Sequence, residues 1–319
     1  EAREAGIETV YQTLALSLMD LDAAGELYFS AAGNNGRNGF EATFNSSGTT
    51  GFSEPLAALT TGATPYRLPI TFKSGADAVL TLEWSQPAAS VSPAHGAQKD
   101  LDLYVVDSTG ALIAQSVTRN ANGDPYERID LSYSGTGTAT AYIEVGFFGT
   151  AAPVHFKIMA MDNGSGVSLG ASTLNTNDGT IYGHAAAAGA IAVGAAYYGS
   201  TPAYGTSPAV LESYSSNGPT LVTYDTAGNP LATPSVRSGP AIVAPDGADT
   251  SFFGSDTDAD GFPNFFGTSA AAPHAAAVAA LMLEANSALN AGDIRNLMQD
   301  SALDMDDKST AGFDQGFDD

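Results

Sequence analysis

The pattern of apolar and polar residues predicts a helix, a strand and a loop in the first forty residues. Residues 9–24 carry leucines at helical spacing, and Gly25 follows as a stop signal. The apolar run 27–31 predicts a buried strand, and the sequence GNNGRNG at 33–39 predicts turns. The first zone of the chain therefore mixes helix and strand.

Residues 41–172 show a different pattern, in which helical periodicity disappears. Short alternating runs lie between clusters of Gly, Ser, Asn and Pro, as expected for strands joined by turns. This zone predicts a β-sandwich or jelly roll, most simply an independent module. The runs that carry the prediction lie at 78–84, 100–107, 111–117, 138–145 and 154–161.

Strands and helices mix again from residue 173 onward. The first of two expected helices begins near Ser269 and contains no Asp, Glu, Lys or Arg before Glu284. A helix that is apolar on all sides is expected to be buried on all sides, so we predict that it is the central helix of an α/β domain. The expected elements are strands at 190–197 and 241–244 and helices at 269–285 and 291–301.

The chain is strongly acidic, with 35 Asp and Glu against 11 Lys and Arg and a net charge of −24. Nucleic acid is excluded as a partner, because its binding needs a basic footprint. The acids are scattered, which predicts a solvated surface suited to a salty extracellular setting. We therefore expect a secreted or cell-surface bacterial protein whose signal lies outside this sequence. The absence of cysteine excludes disulfides and thiol catalysis, and no apolar run reaches the about 18 residues of a membrane span.

The sequence NFFGTSAAAPHAAAVAALML at 264–283 is the strongest candidate for chemistry. It places Ser269 where a turn containing Gly267 enters a helix, whose free N–H groups and positive end favour a developing oxyanion. Pro273 fits the first turn of such a helix, where a missing N–H costs nothing. For a bare Gly-Thr-Ser, the alternative is that Thr268 or Ser269 only caps the helix.

A second candidate is Asn34, which lies in YFSAAGNNG at 28–36. A side-chain amide at the end of a strand is a neutral donor that can be aimed where charge develops only in the transition state. The alternative is that the Asn-Gly sequence forms an ordinary β-turn.

These two motifs resemble the serine and oxyanion-asparagine motifs of the subtilisin-like serine proteases. The resemblance implies an α/β fold with a parallel-sheet core and buried central helices, and hydrolysis of polypeptide substrates through an acyl-enzyme with no required cofactor. It implies that Ser269 is the nucleophile, that Asn34 donates to the oxyanion, and that His274 is a structural residue of the helix. The residues that it implies for substrate binding are Ala31, Ala32, Gly33, Gly267 and Thr268.

Three softer matches, at 180–195, 213–219 and 240–247, follow in the order of that family. The Asn and Ser motifs lie much further apart than in compact family members, and the excess is the β-rich zone, which we interpret as an inserted domain. On Trp84 and the sequence DLDLY, the insert resembles β-sandwich domains that accompany secreted bacterial proteases, and it is a candidate for binding a protein or glycan partner. The expected boundaries are 1–40 and 173–319 for the two parts of the core and 41–172 for the insert.

The base and the acid of a catalytic triad are not evident in the sequence. In the family they precede the oxyanion Asn within D-[ST]-G and H-G-T-like motifs, and neither motif occurs. The simplest interpretation is that the triad Asp and His lie outside this sequence, which is then inactive alone. The alternatives are His184 as a replacement base, and a catalytically inactive pseudoprotease or scaffold. Sedolisin-like proteases share the fold and a G-T-S motif but use Asp where Asn34 stands.

Asp256, Asp258, Asp260 and Gly261 form D-x-D-x-D-G, the opening of a calcium loop, and make a structural Ca²⁺ a hypothesis. The alternative is a solvated acidic turn, because position 267 is Gly where a calcium loop has Glu. The aromatic residues that flank the serine loop either line a substrate cleft or pack in the core; they are Phe252, Phe253, Phe265 and Phe266.

Overall fold

The computed structural model describes residues 25–162, 164–170, 178–225, 227–303 and 305. The strands in these ranges are β1 (Tyr28–Ala31), β2 (Gly39–Thr43), β3 (Ser46–Gly51), β4 (Glu54–Ala57), β5 (Leu68–Phe72), β6 (Asp77–Trp84), β7 (Leu101–Val106), β8 (Leu112–Ser116), β9 (Tyr126–Ser132), β10 (Ala139–Phe147), β11 (His155–Met161), β12 (Val167–Leu169), β13 (Ala190–Tyr197), β14 (Thr220–Tyr224), β15 (Pro230–Arg237), β16 (Ile242–Asp246), β17 (Ala248–Asp249) and β18 (Asn264–Phe265). The helices are α1 (Thr268–Ala285) and α2 (Ala291–Ser301), with 3₁₀ turns at Gly183–Ala186, Tyr198–Ser200 and Pro202–Tyr204. The helix predicted at 9–24 lies outside the described residues.

The chain divides into two compact units. The β-rich unit contains Arg37–Gly179 and Leu221–Ser235, and the serine unit contains Thr180–Thr220 with the described parts of Leu14–Gly36 and Val236–Asp319. The sequence prediction assigned all of 173–319 to the core. The structure instead places the hairpin β14–β15 largely in the β-rich unit. Strand β15 is mostly exposed, whereas β14 is buried or half-buried, and neither strand has an alternating apolar pattern that would assign it to a unit.

Apart from the hairpin β14–β15, the β-rich unit is built from two antiparallel sheets. One follows the order β12-β5-β10-β4-β3, with β7 pairing to β10 and β8, and the other follows the order β2-β11-β6-β9. Side chains of both sheets share one apolar core, to which Leu82 and Phe156 contribute from the second sheet and Ile70 and Ile143 from the first. Each such side chain stabilises the fold by about 1.5–3 kcal/mol when fully buried. That this unit is an inserted domain folding by itself stays a prediction.

The serine unit contains a parallel sheet in the order β1-β13-β16. Tyr28 pairs with Ala190 and Val193 with Ile242, so the two outer strands run beside β13 in the same direction. The apolar runs at 190–197 and 241–244 therefore form strands as predicted. Helix α1 packs on this sheet through a row of alanines, and Ala271 and Ala275 lie in the same apolar cluster as the β13 side chains.

The prediction that α1 is buried on all sides is wrong for the described part of the chain. Its alanine face is buried, whereas Val278, Leu281 and Leu283 are between 41% and 63% exposed. The physical reason is that the described sheet covers one side of the helix only, and an uncharged sequence does not by itself supply a second layer. None of the helices in the described ranges is long and apolar enough to span a membrane.

Candidate active site

Ser269 is the second residue of α1 and its side chain is exposed. The N-cap position is occupied by Gly267, which has a φ of 127° and, as a glycine, has no side chain that could cap the helix. The helix-cap alternative for Thr268 and Ser269 therefore does not hold, since both lie inside the helix. Within the described residues, the Ser269 hydroxyl makes no hydrogen bond, and it stands at the positive end of the helix.

Asn34 lies against the turn that precedes Ser269. Its Oδ1 accepts hydrogen bonds from the backbone N–H of Thr268 at 3.0 Å and from the Thr268 hydroxyl at 2.9 Å. The backbone N–H of Gly33 in turn donates to Thr268 Oγ1 at 3.1 Å. Because a backbone N–H can only donate, these bonds fix which side-chain atom of Asn34 is the oxygen. The Asn34 NH₂ group then points elsewhere, and it donates to no group in the described residues.

Gly267 is required where the two loops approach. A Cβ atom at Gly267 would lie 3.2 Å from Asn34 Nδ2, and the positive φ is one that side chains of L-residues rarely adopt. The sequence predicted a glycine for close approach at this position, and the structure brings Asn34, Gly267 and Thr268 together. It places Ala31 at the end of β1 and Ala32 directly after that strand, two residues before Asn34.

A third loop supports the asparagine loop. Tyr214 O accepts the N–H of Gly36 at 2.7 Å, and Ser216 Oγ accepts the N–H of Asn35 at 3.1 Å. The N–H of Ser216 donates to Gly33 O at 2.9 Å. These three hydrogen bonds fix the backbone around Asn34 against the loop at 213–219.

Asp246 is a residue that sequence reasoning missed. It is fully buried at the end of β16, and its Oδ2 accepts the N–H of Gly267 at 2.7 Å and the hydroxyl of Tyr214. Burial raises the pKa of the Asp246 carboxyl, and these hydrogen bonds act in the opposite direction. The only sequence signal was the Asp in A-P-D-G, a departure from the A-P-G pattern. Through these bonds Asp246 connects the turn before Ser269 to Tyr214, which lies in the loop that supports Asn34.

The four histidines stand apart from the serine in the described part of the chain, where none is hydrogen-bonded to Ser269. Nδ1 of His274 lies 2.8 Å from Ala270 O, one turn back on the same helix, which is a structural arrangement. His184 packs edge-on against Tyr28, with ring centroids 5.9 Å apart. The remaining two, His95 and His155, belong to the β-rich unit.

The acidic loop before the serine differs from the predicted set. Carboxylate oxygens of Asp258 and Asp260 lie within 4.8 Å of one another and of Asp249, and all three residues are exposed. Asp256 instead accepts backbone N–H groups three and five residues later, which closes a turn. Asp249 therefore replaces Asp256 in the group, and calcium binding there stays a prediction. Among the flanking aromatic residues, Phe252 and Phe253 are exposed, and Phe265 and Phe266 are half-buried.

The sequence matches the family described as the Subtilase family over residues 6–318. No curated protein matches the chain. Among solved structures, the chain is similar to the CspB protease of Clostridium perfringens, with 15% sequence identity and a TM-score of 0.48. The similarity covers 92% of this chain and 57% of that chain, so this chain spans little more than half the length of that structure.

Proposed function

Because the chain belongs to the subtilase family, whose members are serine peptidases, we propose that it carries the nucleophile and the oxyanion donors of a subtilisin-type serine endopeptidase. Ser269 attacks the carbonyl carbon of a peptide bond and forms an acyl-enzyme, which water then hydrolyses. Asn34 Nδ2 and the backbone N–H of Ser269 stabilise the oxyanion. The triad His and Asp lie outside this chain.

The observation that carries the proposal is the orientation of the Asn34 side chain. Thr268 holds its oxygen, and this leaves the NH₂ group as an uncommitted donor next to Gly267, in the turn that leads into Ser269. A donor held before the reaction begins costs no reorganisation when the oxyanion forms. Replacing one such donor in a serine protease lowers kcat by roughly 10²–10³-fold.

The substrate is a polypeptide that lies along the end of β1 and the turn before α1. The family resemblance assigns Ala31, Ala32 and Gly33 to one side of the path of the substrate, and Gly267 and Thr268 to the other. Small residues on both sides let a substrate backbone approach closely. We place the protein outside the cell, and we assign the β-rich unit as an inserted β-sandwich that binds a protein or glycan partner.

The test uses the longest form of the protein that includes the residues upstream of Glu1, beside the 319-residue chain. Each is incubated with a fluorophosphonate probe and with casein, and Ser269→Ala is the control. We expect labelling and proteolysis in the longer form only, loss of both in Ser269→Ala, and a drop of roughly 10²-fold in proteolysis for Asn34→Ala.

Two outcomes contradict the proposal. If the 319-residue chain is itself labelled, and labelling disappears in Ser269→Ala, a base lies within the chain and His184 is the first residue to replace. If the longer form is folded but is neither labelled nor active, the second candidate applies, a pseudoprotease scaffold. The observation that favours it is that no histidine is hydrogen-bonded to Ser269 in the described residues.

A further inference from the structure

Asp246 is a buried acid of the serine unit that the proposed reaction does not use. It is the last residue of β16, and it is fully buried. Its Oδ2 accepts the N–H of Gly267 at 2.7 Å and the hydroxyl of Tyr214, and both donors are neutral. The A-P-G pattern of the family has no carboxylate at this place, so the role of Asp246 does not follow from the resemblance.

The first of the two bonds holds the turn that precedes the serine. Gly267 is the N-cap of α1, and the next backbone N–H, that of Thr268, donates to Asn34 Oδ1 at 3.0 Å. The bond from Gly267 to Asp246 and the bond from Thr268 to Asn34 therefore leave the turn from consecutive residues. A shift of the turn at Gly267 changes the position from which Asn34 is oriented.

The second bond holds the loop of the asparagine from the other side. The carbonyl oxygen of Tyr214 accepts the N–H of Gly36, two residues after Asn34, at 2.7 Å. The hydroxyl of the same tyrosine donates to Asp246. A single carboxylate oxygen is thus bonded directly to the serine turn and, through Tyr214, to the loop of Asn34.

The other oxygen of the carboxyl is available for a proton. Asp246 Oδ1 is buried and has no hydrogen-bond partner in the described residues. Because Oδ2 already accepts two hydrogens, a proton that is taken up by the carboxyl is added to Oδ1. The bonds at Oδ2 are then made to a neutral acceptor, and hydrogen bonds to an ionised group are roughly twice as strong as those to a neutral one. Protonation therefore weakens both bonds while the acceptor atom stays in place.

The surroundings of Asp246 favour uptake of this proton at a higher pH than in an exposed Asp. Burial raises the pKa of Asp246 above its ordinary value of 3.8, and its two hydrogen bonds and the charge of His274 act in the opposite direction. Glu212 also faces it, and the charge of Asp246 raises the pKa of Glu212. In the described residues, the titratable groups around Asp246 are thus Tyr214, Glu212 and His274.

We infer that Asp246 is a positioning residue, whose carboxylate holds Asn34 and the turn before Ser269 in one arrangement that loosens when the carboxyl gains a proton. The inference rests on the proposed function, since it concerns the placement of the proposed oxyanion donors. Asp246 is buried and does not face a substrate, so its loss affects the transition state through these donors and leaves substrate binding unchanged. It makes the site weaker at acidic pH.

The first experiment is an NMR titration of the 319-residue chain between about pH 3 and 7. It follows the backbone amide of Gly267 and the side-chain amide of Asn34. We expect both resonances to shift with one common midpoint above 3.8, because both report the same carboxyl. In Asp246→Asn, which keeps an oxygen acceptor but cannot titrate, both shifts should disappear.

Asp225 supplies a matched control within the same spectra. Its Oδ1 accepts the N–H of Asn229 at 2.7 Å, the same distance as at Gly267, but its hydrogen bonds lower its pKa. The Asn229 amide should therefore shift with a midpoint below 3.8, and equally in Asp246→Asn. Tyr214→Phe removes one bond to the charged form of Asp246, so in this variant the midpoint at Gly267 should move to higher pH.

The second experiment measures kcat and KM of the longer form that includes the residues upstream of Glu1. Asp246→Ala should lower kcat by roughly 10- to 100-fold, since small displacements of positioned groups have effects of this size. The KM should stay within about twofold. Asp246→Asn should restore part of the lost kcat at neutral pH, because it returns an acceptor for Gly267 and Tyr214.

The outcomes separate this inference from the proposed function. A longer form that is folded but inactive contradicts the proposed function, whatever the spectra show. An active longer form refutes the inference about Asp246 alone if the Asn34 resonance ignores both pH and Asp246→Asn, or if Asp246→Ala raises KM and leaves kcat unchanged. If the variants do not fold, as judged by circular dichroism, the unmodified chain decides: different midpoints at Gly267 and Asn34 show that one carboxylate does not hold both.

Discussion

Thr268→Val removes the hydroxyl that joins the serine turn to the asparagine loop, with almost no change of shape. The hydroxyl accepts from Gly33 N–H and donates to Asn34 Oδ1. Losing the donated bond costs about 0.5–1.5 kcal/mol, and leaving the Gly33 N–H without a partner costs about 1–3 kcal/mol. We therefore expect the free energy of opening at this site to fall by about 2–4 kcal/mol. Thr268→Ser keeps both bonds and loses one methyl group, which costs about 1 kcal/mol.

Amide hydrogen exchange at Gly33 is the measurement, because it reports the opening of this loop separately from global unfolding. A loss of 2–4 kcal/mol corresponds to exchange that is faster by roughly 30- to 1,000-fold in Thr268→Val. In the Thr268→Ser control the increase should stay below about tenfold. Equal exchange rates in the two variants would refute the idea that the hydroxyl holds the two loops together.

Two further predictions concern buried acids. Asp246→Ala leaves the donors of Gly267 and Tyr214 without an acceptor and should lower the free energy of unfolding by about 2–4 kcal/mol, whereas Asp246→Asn keeps an acceptor and should cost less; urea unfolding that ranks the two variants the other way would contradict this. Asp102 has a folded-state pKa of about 8, above its ordinary value of 3.8, so the folded state holds a proton that the unfolded state has lost between these values. Stability should therefore fall as pH rises from about 4 to 8, and the fall should be smaller in Asp102→Asn; an unchanged slope would show that Asp102 is not responsible.

Eight of the eighteen strands in the described residues and the two principal loops could be predicted because each of them has a local signature. Alternating apolar and polar residues predict β6 and β11, and a continuous apolar run predicts β13. Gly267 and Asn34 lie in short motifs whose residues are typical of turns. The membership of the chain in the subtilase family followed from the same motifs and is confirmed by the family match.

The remaining features depend on contacts that no local pattern encodes. Asp246 becomes a support of the serine turn only because β16 ends beneath it, and Asp249 joins the acidic group only because β17 pairs with β18. The exposed side of α1 was mispredicted because an uncharged helix sequence shows only that every face could be buried. It does not show how many sheets or helices pack around that helix.

The hydrogen bonds between Asn34 and Thr268 join positions 234 residues apart in the sequence. A ribosome adds about 5–20 residues per second, so roughly 12–47 s pass between the synthesis of the two partners. During this interval the loop after β1 is already made but has no Thr268 to orient its amide. The serine and the group that orients the proposed oxyanion donor then emerge as consecutive residues. The nucleophile and the residue that orients its proposed oxyanion donor are therefore synthesised together, and a nascent chain that stops short of Thr268 contains neither.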